Sequence, residues 1–120
     1  MSEEGEWMQV IKRDGRIVDF SDEKIFNAVW KAMQSVGGYE ESDAHRVTEK
    51  VIEKIKGMDV ESIHVEDIQD LVEETLMIEG YIRVAKAYIL YREERRKIRQ
   101  AKKVIGVQDD LKLTVNAIKV

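Results

Sequence analysis

Four cations crowd the first part of this 120-residue chain: Lys12, Arg13, Arg16 and Lys24 fall within thirteen residues. Cations gathered so closely suit the binding of an anion, and phosphate is the group they meet well in charge-assisted hydrogen bonds. Lys24 carries a second signal. Ser21 is a good N-cap for a helix beginning at Asp22. A capping box would place Glu or Gln three residues after the cap, yet Lys24 stands there. A cation at the positive end of a helix dipole costs roughly a few tenths of a kcal/mol, which Asp22 and Glu23 can offset. Free N–H groups at a helix start attract phosphate. For Lys24 alone, a plain surface lysine is the simpler account. The anion reading gains from Lys12 and Arg13, which a hairpin would deliver to the same end.

That hairpin spans roughly Trp7 to Phe20 and is read from "VIKRDGRIVDF", residues 10–20. Asp-Gly between alternating apolar residues predicts a two-residue type I′ turn. Asp14-Gly15 at the tip then pairs Arg13 with Arg16, Lys12 with Ile17, Ile11 with Val18 and Val10 with Asp19. In that register Ile11, Arg13, Arg16, Val18 and Phe20 share one face, and Val10, Lys12, Ile17 and Asp19 share the other. Each face is apolar near its base and cationic toward the tip. Such a hairpin needs two partners, one face sealing a core and the other lining a pocket.

The helices follow from apolar spacing. The first runs from Asp22 to Val36 with Ile25, Val29, Ala32 and Val36 on one stripe, and Gly37-Gly38 stops it. Ser42 or Asp43 can cap the second, which carries Val47, Val51, Ile55 and Met58. "VESIHV" is short and partly β-branched, a candidate third strand. The third helix carries Ile68, Leu71, Val72, Thr75 and Leu76 up to Gly80. The fourth begins near Tyr81, shows Val84, Ala85, Tyr88, Ile89 and Tyr91, then turns basic and ends at Gly106. The fold class is mostly α with a small β cap, a four-helix bundle covered by a hairpin or three-stranded sheet.

Composition narrows the chemistry. The chain has no cysteine, so it has no disulfide, thiolate metal site or cysteine nucleophile. His45 and His64 form no spaced metal motif. No P-loop, G-x-G-x-x-G, H-E-x-x-H or nucleophile elbow is present, and nothing argues for a catalytic site. No apolar run approaches a membrane span, and a cytoplasmic protein is the expectation. Net charge is −4, but residues 92–103, "REERRKIRQAKK", carry +5. Such a stretch can meet nucleic acid, an anionic ligand or an acidic partner. A solvated helix end whose cations complement the dipole accounts for it equally well.

Three segments together carry a resemblance: "VIKRDGRIVDFSDEKIFNAV", "VEDIQDLVEETLM" and "RVAKAYILYREERRKIR". In this order and spacing they resemble the ATP-cone domain over about residues 8–99. The resemblance implies a four-helix bundle under a small three-stranded sheet. It also implies an allosteric domain that senses ATP or dATP, with Mg2+, chiefly at the N-terminus of ribonucleotide reductases. The partners it implies are adenine nucleotides, the reductase's catalytic domain and other cones through self-association, with neither a membrane nor a nucleic acid among them. A second setting for such cones, a repressor of reductase genes, carries a cysteine zinc ribbon, and this chain has no cysteine. "DDLKLTVNAIKV" resembles the segment that begins the catalytic region of adenosylcobalamin-dependent reductases. The expected organisation is a flexible terminus at 1–6, a nucleotide-binding cone at 7–103, and at 104–120 a linker and the truncated start of a catalytic region. The adenosylcobalamin would belong to that region alone. Two other readings stand beside this one: a helical interaction module that has lost nucleotide binding, and a repressor cone without its ribbon.

The family's site residues map onto Val10, Lys12 and Arg13 of the hairpin, with both cations meeting phosphates. Lys24 would join them on phosphate, with Ile25 on the base or sugar. Ile68 and Gln69 would face the adenosine, Gln69 as a hydrogen-bonding group. A basic residue of the fourth helix, Arg92, Arg95 or Arg96, would complete the phosphate site. Val65 stands where many relatives have Thr beside the base, and Val18 where some have an acidic residue.

Overall fold

The computed structural model describes residues 8–105. Its elements are β1 (Gln9–Ile11), β2 (Ile17–Asp19), α1 (Asp22–Val36), α2 (Glu41–Gly57), β3 (Ser62–His64), α3 (Val65–Ile78) and α4 (Ile82–Ile105). The expected four helices and three-stranded sheet are present, in the strand order β2-β1-β3. The expectations for residues 1–6, for Trp7, and for Gly106 and the segment after it fall outside the described residues. The chain divides between Tyr88 and Ile89 into two compact units. The first holds the sheet, α1, α2, α3 and the start of α4. Within the second unit the described residues continue α4, from Ile89 to Ile105.

The first unit is built on apolar stripes at helical spacing. Ile25, Val29, Ala32 and Met33 of α1 are buried, with Val47, Val51 and Ile55 of α2 and Ile68, Val72 and Leu76 of α3. Val84, Ala85 and Tyr88 bring the start of α4 into the same core. Val29, Val47, Val51 and Leu76 have no exposed surface, and each contributes roughly 1.5–3 kcal/mol through burial.

Several helix boundaries differ from the sequence expectation. The cap of α2 is Glu40, two or three residues ahead of the expected Ser42 or Asp43. Asp43 serves at N3, where its carboxylate accepts from the Glu40 N–H at 2.9 Å, so the pair forms a reciprocal capping box. Met58 lies beyond the last turn of α2 and is exposed rather than in the stripe. Tyr91 is also exposed. α3 ends as expected at Gly80. Its φ is +91°, the N–H of Gly80 donates to Met77 at 3.1 Å, and that of Tyr81 to Leu76 at 2.8 Å. Those two bonds make a Schellman stop, which needs a left-handed residue after the cap.

The main correction concerns the hairpin register. Val10 pairs with Val18, Ile11 with Ile17 and Gln9 with Asp19, one residue off the expected pairing. The turn is a three-residue loop rather than a type I′ turn. The Gly15 N–H donates to the Lys12 carbonyl at 2.9 Å, and the Lys12 N–H to Arg16 at 2.8 Å. Gly15 has φ +91° but Asp14 does not have positive φ, whereas type I′ needs it at both. The Asp14 carboxylate supports this turn. It accepts from the Arg16 N–H at 3.1 Å and from Arg16 Nε at 2.8 Å, an Asx turn that a two-residue tip would forgo.

A one-residue slip moves every β2 side chain to the other face relative to β1. Met8, Val10, Val18 and Phe20 therefore face inward together, while Gln9, Ile17 and Asp19 are exposed. The hairpin has one packing face instead of two. β3 then pairs in parallel with β1, Val10 opposite Ile63 and Ile11 opposite His64, and sets the start of α3 beside the hairpin.

Candidate functional site

The inward face of the hairpin does more than seal the core. Val10 from β1 and Lys12 just after it, Val18 from β2 and Phe20 just after it, and Ser21, Lys24, Ile25 and Ala28 around the start of α1 border a cleft. Val65, Ile68, Gln69 and Val72 of α3 close its other wall, with Tyr88 behind. Its empty volume is about 630 Å3, counting the open mouth. The wall is largely apolar, and Lys12, Ser21, Lys24, Asp19 and Gln69 supply the polar groups.

Seven residues expected from the sequence line this one cleft: Val10, Lys12, Lys24, Ile25, Val65, Ile68 and Gln69. Each owes its place to local structure. Lys12 follows the last β1 residue and shares the inward side with Val10. Lys24 and Ile25 sit in the first turn of α1. Ser21 occupies the N-cap position, but its side chain makes no capping hydrogen bond. The first-turn N–H groups of α1 therefore lack a side-chain cap, the condition that favours an anion at a helix start.

Electrostatics point the same way. Partial burial lowers the Lys12 pKa below the ordinary lysine value, and Lys24, Arg16 and Arg13 lower it further. Asp14 opposes them but is engaged with Arg16. The ammonium is thus held among like charges, and an entering anion would relieve that repulsion.

Arg13 and Arg96 stand differently. Arg13 does not line the first cleft. Its Nε donates to Glu66 Oε2 at 3.1 Å and its Nη2 to Gln69 Oε1 at 2.9 Å. It borders a second, more polar cleft with Ile11, Gly15, His64, Glu66 and Asp67, and Lys12 and Val65 line both clefts. Arg96 belongs to the second unit and is paired with Glu93, while Arg95 lies over the Tyr91 ring at 5.9 Å. The sequence reading missed Glu66. Its signal was available, since residues three apart on a helix share a face and Glu66 precedes Gln69 by three.

Among the described residues no group of three His, Asp or Glu side chains could hold a metal ion, and no helix is long and apolar enough to cross a membrane.

Comparison with known proteins adds the ancestry. A family model described as "ATP cone domain" matches residues 8–97. The chain is 50% identical over 117 residues to a vitamin B12-dependent ribonucleoside-diphosphate reductase of Thermoplasma acidophilum, covering 93% of this chain and 15% of that protein. It is 38% identical over 112 residues to the same-named enzyme of Mycobacterium tuberculosis, covering 93% of this chain and 16% of that one. An anaerobic ribonucleoside-triphosphate reductase of Haemophilus influenzae matches at 38% over 86 residues, 72% of this chain and 12% of its own length. The chain therefore spans about 15% of the length of the curated relatives it matches. The family match takes in the hairpin, α1, α2, β3, α3 and most of α4, and on that extent the chain belongs to the ATP-cone family.

Proposed function

We propose that the first cleft binds an adenine nucleotide, ATP or dATP, and that its occupancy regulates a ribonucleotide reductase of the vitamin B12-dependent kind. The phosphates would lie toward Lys12, Lys24 and the uncapped start of α1. The base and sugar would lie against Ile25, Val65 and Ile68, with Gln69 reading the base. Arg13 would reach the phosphates after leaving Glu66. One observation carries the reading: a small apolar cleft whose rim holds a lysine ammonium disfavoured first by partial burial and then by its cationic neighbours.

Mg2+ would arrive with the nucleotide. It is commonly held by one or two carboxylates plus phosphates rather than by an all-protein cage. In this reading residues 7–103 form the nucleotide-binding domain, and 104–120 lead toward a catalytic region where adenosylcobalamin would act. The chain itself is regulatory, and self-association of cones is one way occupancy could reach the active site.

Calorimetric titration of the chain with ATP and dATP, with mass measured in each state, tests this. Saturable heat is expected, with a melting temperature several degrees higher, because a ligand at about 100 times its Kd adds roughly 2.7 kcal/mol to the folded state. Absence of heat with both nucleotides would refute the reading and favour a helical interaction module.

A further inference from the structure

We propose that Arg16 is a phosphate-binding residue at the mouth of the first cleft, held by Asp14 in the empty domain and turned to the outer phosphates when a nucleotide enters. The inference deepens the nucleotide reading above and rests on it.

The register of the hairpin carries the argument. Val10 pairs with Val18 and Ile11 with Ile17. The Lys12 N–H donates to the Arg16 carbonyl at 2.8 Å, which extends the pairing one step and sets Arg16 opposite Lys12. Side chains directly opposite on antiparallel strands share a face, with Cβ atoms about 4.5–5.5 Å apart. Arg16 also lies two residues before Val18, which lines the cleft, and side chains two apart along a strand point the same way. The register expected from the sequence put Arg16 and Lys12 on opposite faces. The observed register makes them neighbours on the cleft side. Arg13 is turned to the second cleft, its guanidinium bonded to Glu66 and Gln69.

Electrostatics agree. Burial is the first cause of the lowered Lys12 pKa, and among the charges Lys24 acts most, Arg16 next and Arg13 after it. Arg16 thus bears on the Lys12 ammonium more than Arg13 does, although Arg13 is adjacent to Lys12 in the chain.

What holds Arg16 in the empty domain is replaceable. Its Nε donates to Asp14 Oδ2 at 2.8 Å, and the two side chains are 67% and 59% exposed. Exposed pairs contribute little net stability. A guanidinium fits carboxylate and phosphate oxygens alike, so a phosphate can take the place of Asp14 without stranding a buried charge. Asp14 keeps its other bond, from the Arg16 N–H, and the turn survives the exchange. Lys12 and Lys24 line the cleft itself, whereas Arg16 stands beside Lys12 outside that lining. The phosphate nearest the sugar therefore falls to the lysines and the outer phosphates to Arg16. Its contribution should grow with the length of the phosphate chain.

The test titrates the 120-residue chain with ATP and AMP by calorimetry. Arg16→Ala leaves the backbone carbonyl that closes the turn. It should weaken ATP about tenfold and leave AMP unchanged, and the retained AMP binding also reports a folded domain. Asp14→Asn keeps an oxygen for the Arg16 N–H and removes the charge that holds the guanidinium. It should tighten ATP about two- to fivefold. In the double variant Asp14→Asn/Arg16→Ala that gain should vanish, because it acts through Arg16. The inference is overturned if Arg16→Ala leaves ATP affinity unchanged, or if it weakens AMP as much as ATP, as a diffuse loss of charge would. It is overturned equally if the gain from Asp14→Asn persists without Arg16. If wild type bound neither nucleotide, the nucleotide reading would fall and take this inference with it. Binding by wild type with no such dependence on Arg16 would sink the inference alone.

Discussion

Lys12 should oppose the empty fold while serving the filled one, and Lys12→Met separates the two effects. Methionine keeps an unbranched apolar stem of similar reach and removes the charge. In the empty domain the ammonium is disfavoured by burial first, then by Lys24, Arg16 and Arg13. Partly exposed charge pairs contribute about 0.2–1 kcal/mol each, so losing the repulsion should stabilise the variant by that order. For a domain of this size about 1 kcal/mol moves the melting temperature by roughly 4–8 °C, so a rise of about 1–8 °C is expected without ligand. Binding should move the other way. A charge-assisted contact to phosphate is worth about 1.5–3 kcal/mol, a loss of about 10- to 150-fold in affinity for ATP. Lys24→Met should match the loss of affinity with a smaller rise in melting temperature, because Lys24 is exposed. Calorimetry for affinity and thermal melts with and without ATP read both quantities on the same samples. A Lys12→Met chain that melted lower without ligand and bound ATP like wild type would refute the reasoning, leaving Lys12 as an ordinary packing residue.

The same lysine sets a pH dependence. Its folded pKa lies below the ordinary value of about 10.4, so between those two values the unfolded chain binds more protons, and the empty domain should gain stability as pH rises through that window. A bound phosphate restores the proton. ATP binding there should take up protons and weaken with rising pH, which calorimetry in buffers of different ionisation enthalpy would reveal; a pH-independent heat would count against it. Gln69→Leu should blunt discrimination between ATP and GTP more than it lowers affinity for inorganic triphosphate, and unchanged discrimination would remove Gln69 as a reader. Gly15→Ala meets no atom within 4 Å, but it forces a side chain into φ +91° and should cost about 1–2 kcal/mol in denaturant melts. Because Arg13 and Arg16 flank that turn, ATP affinity should fall as well.

Much of this was legible in the sequence because the signals were local. The α1 boundaries and the apolar stripe around Ile25, Val29 and Ala32 follow from spacing and from Gly37. Gly80 marks the end of α3 for the same kind of reason. β3 needed only a short β-branched run. Of the cleft residues, Lys12 and Lys24 stood out by type and place, Lys24 in a first helical turn above all, whereas Val10, Ile25, Val65, Ile68 and Gln69 followed from the resemblance to the ATP-cone domain. Arg13 was harder. Its partners Glu66 and Gln69 lie 53 and 56 residues away, and no local pattern in the hairpin announces them. A guanidinium aimed at phosphate and one aimed at a carboxylate look identical in a sequence.

The hairpin shows how a correct element can carry a wrong geometry. Asp-Gly marks a turn in either form; the three-residue loop is the one that puts Val10, Val18 and Phe20 on one inward face, and the Asp14 carboxylate supports it by accepting from Arg16. The difference is one residue of register, yet it decides the site. In the expected pairing Val10 and Val18 would lie on opposite faces, and a pocket would need a second packing surface that a three-strand sheet does not offer. In the observed pairing Val10, Val18 and Phe20 share the face that meets α1 and α3. Lys12 extends that face toward the loop. The apolar wall and the cationic rim are therefore successive stretches of one surface, buried at the Met8 end and open at the Lys12 end. Any change that restored a two-residue tip would turn β2 over, put Ile17 where Val18 packs, and disturb core and cleft together. The register of this hairpin therefore sets its packing face and the shape of the cleft beside it together.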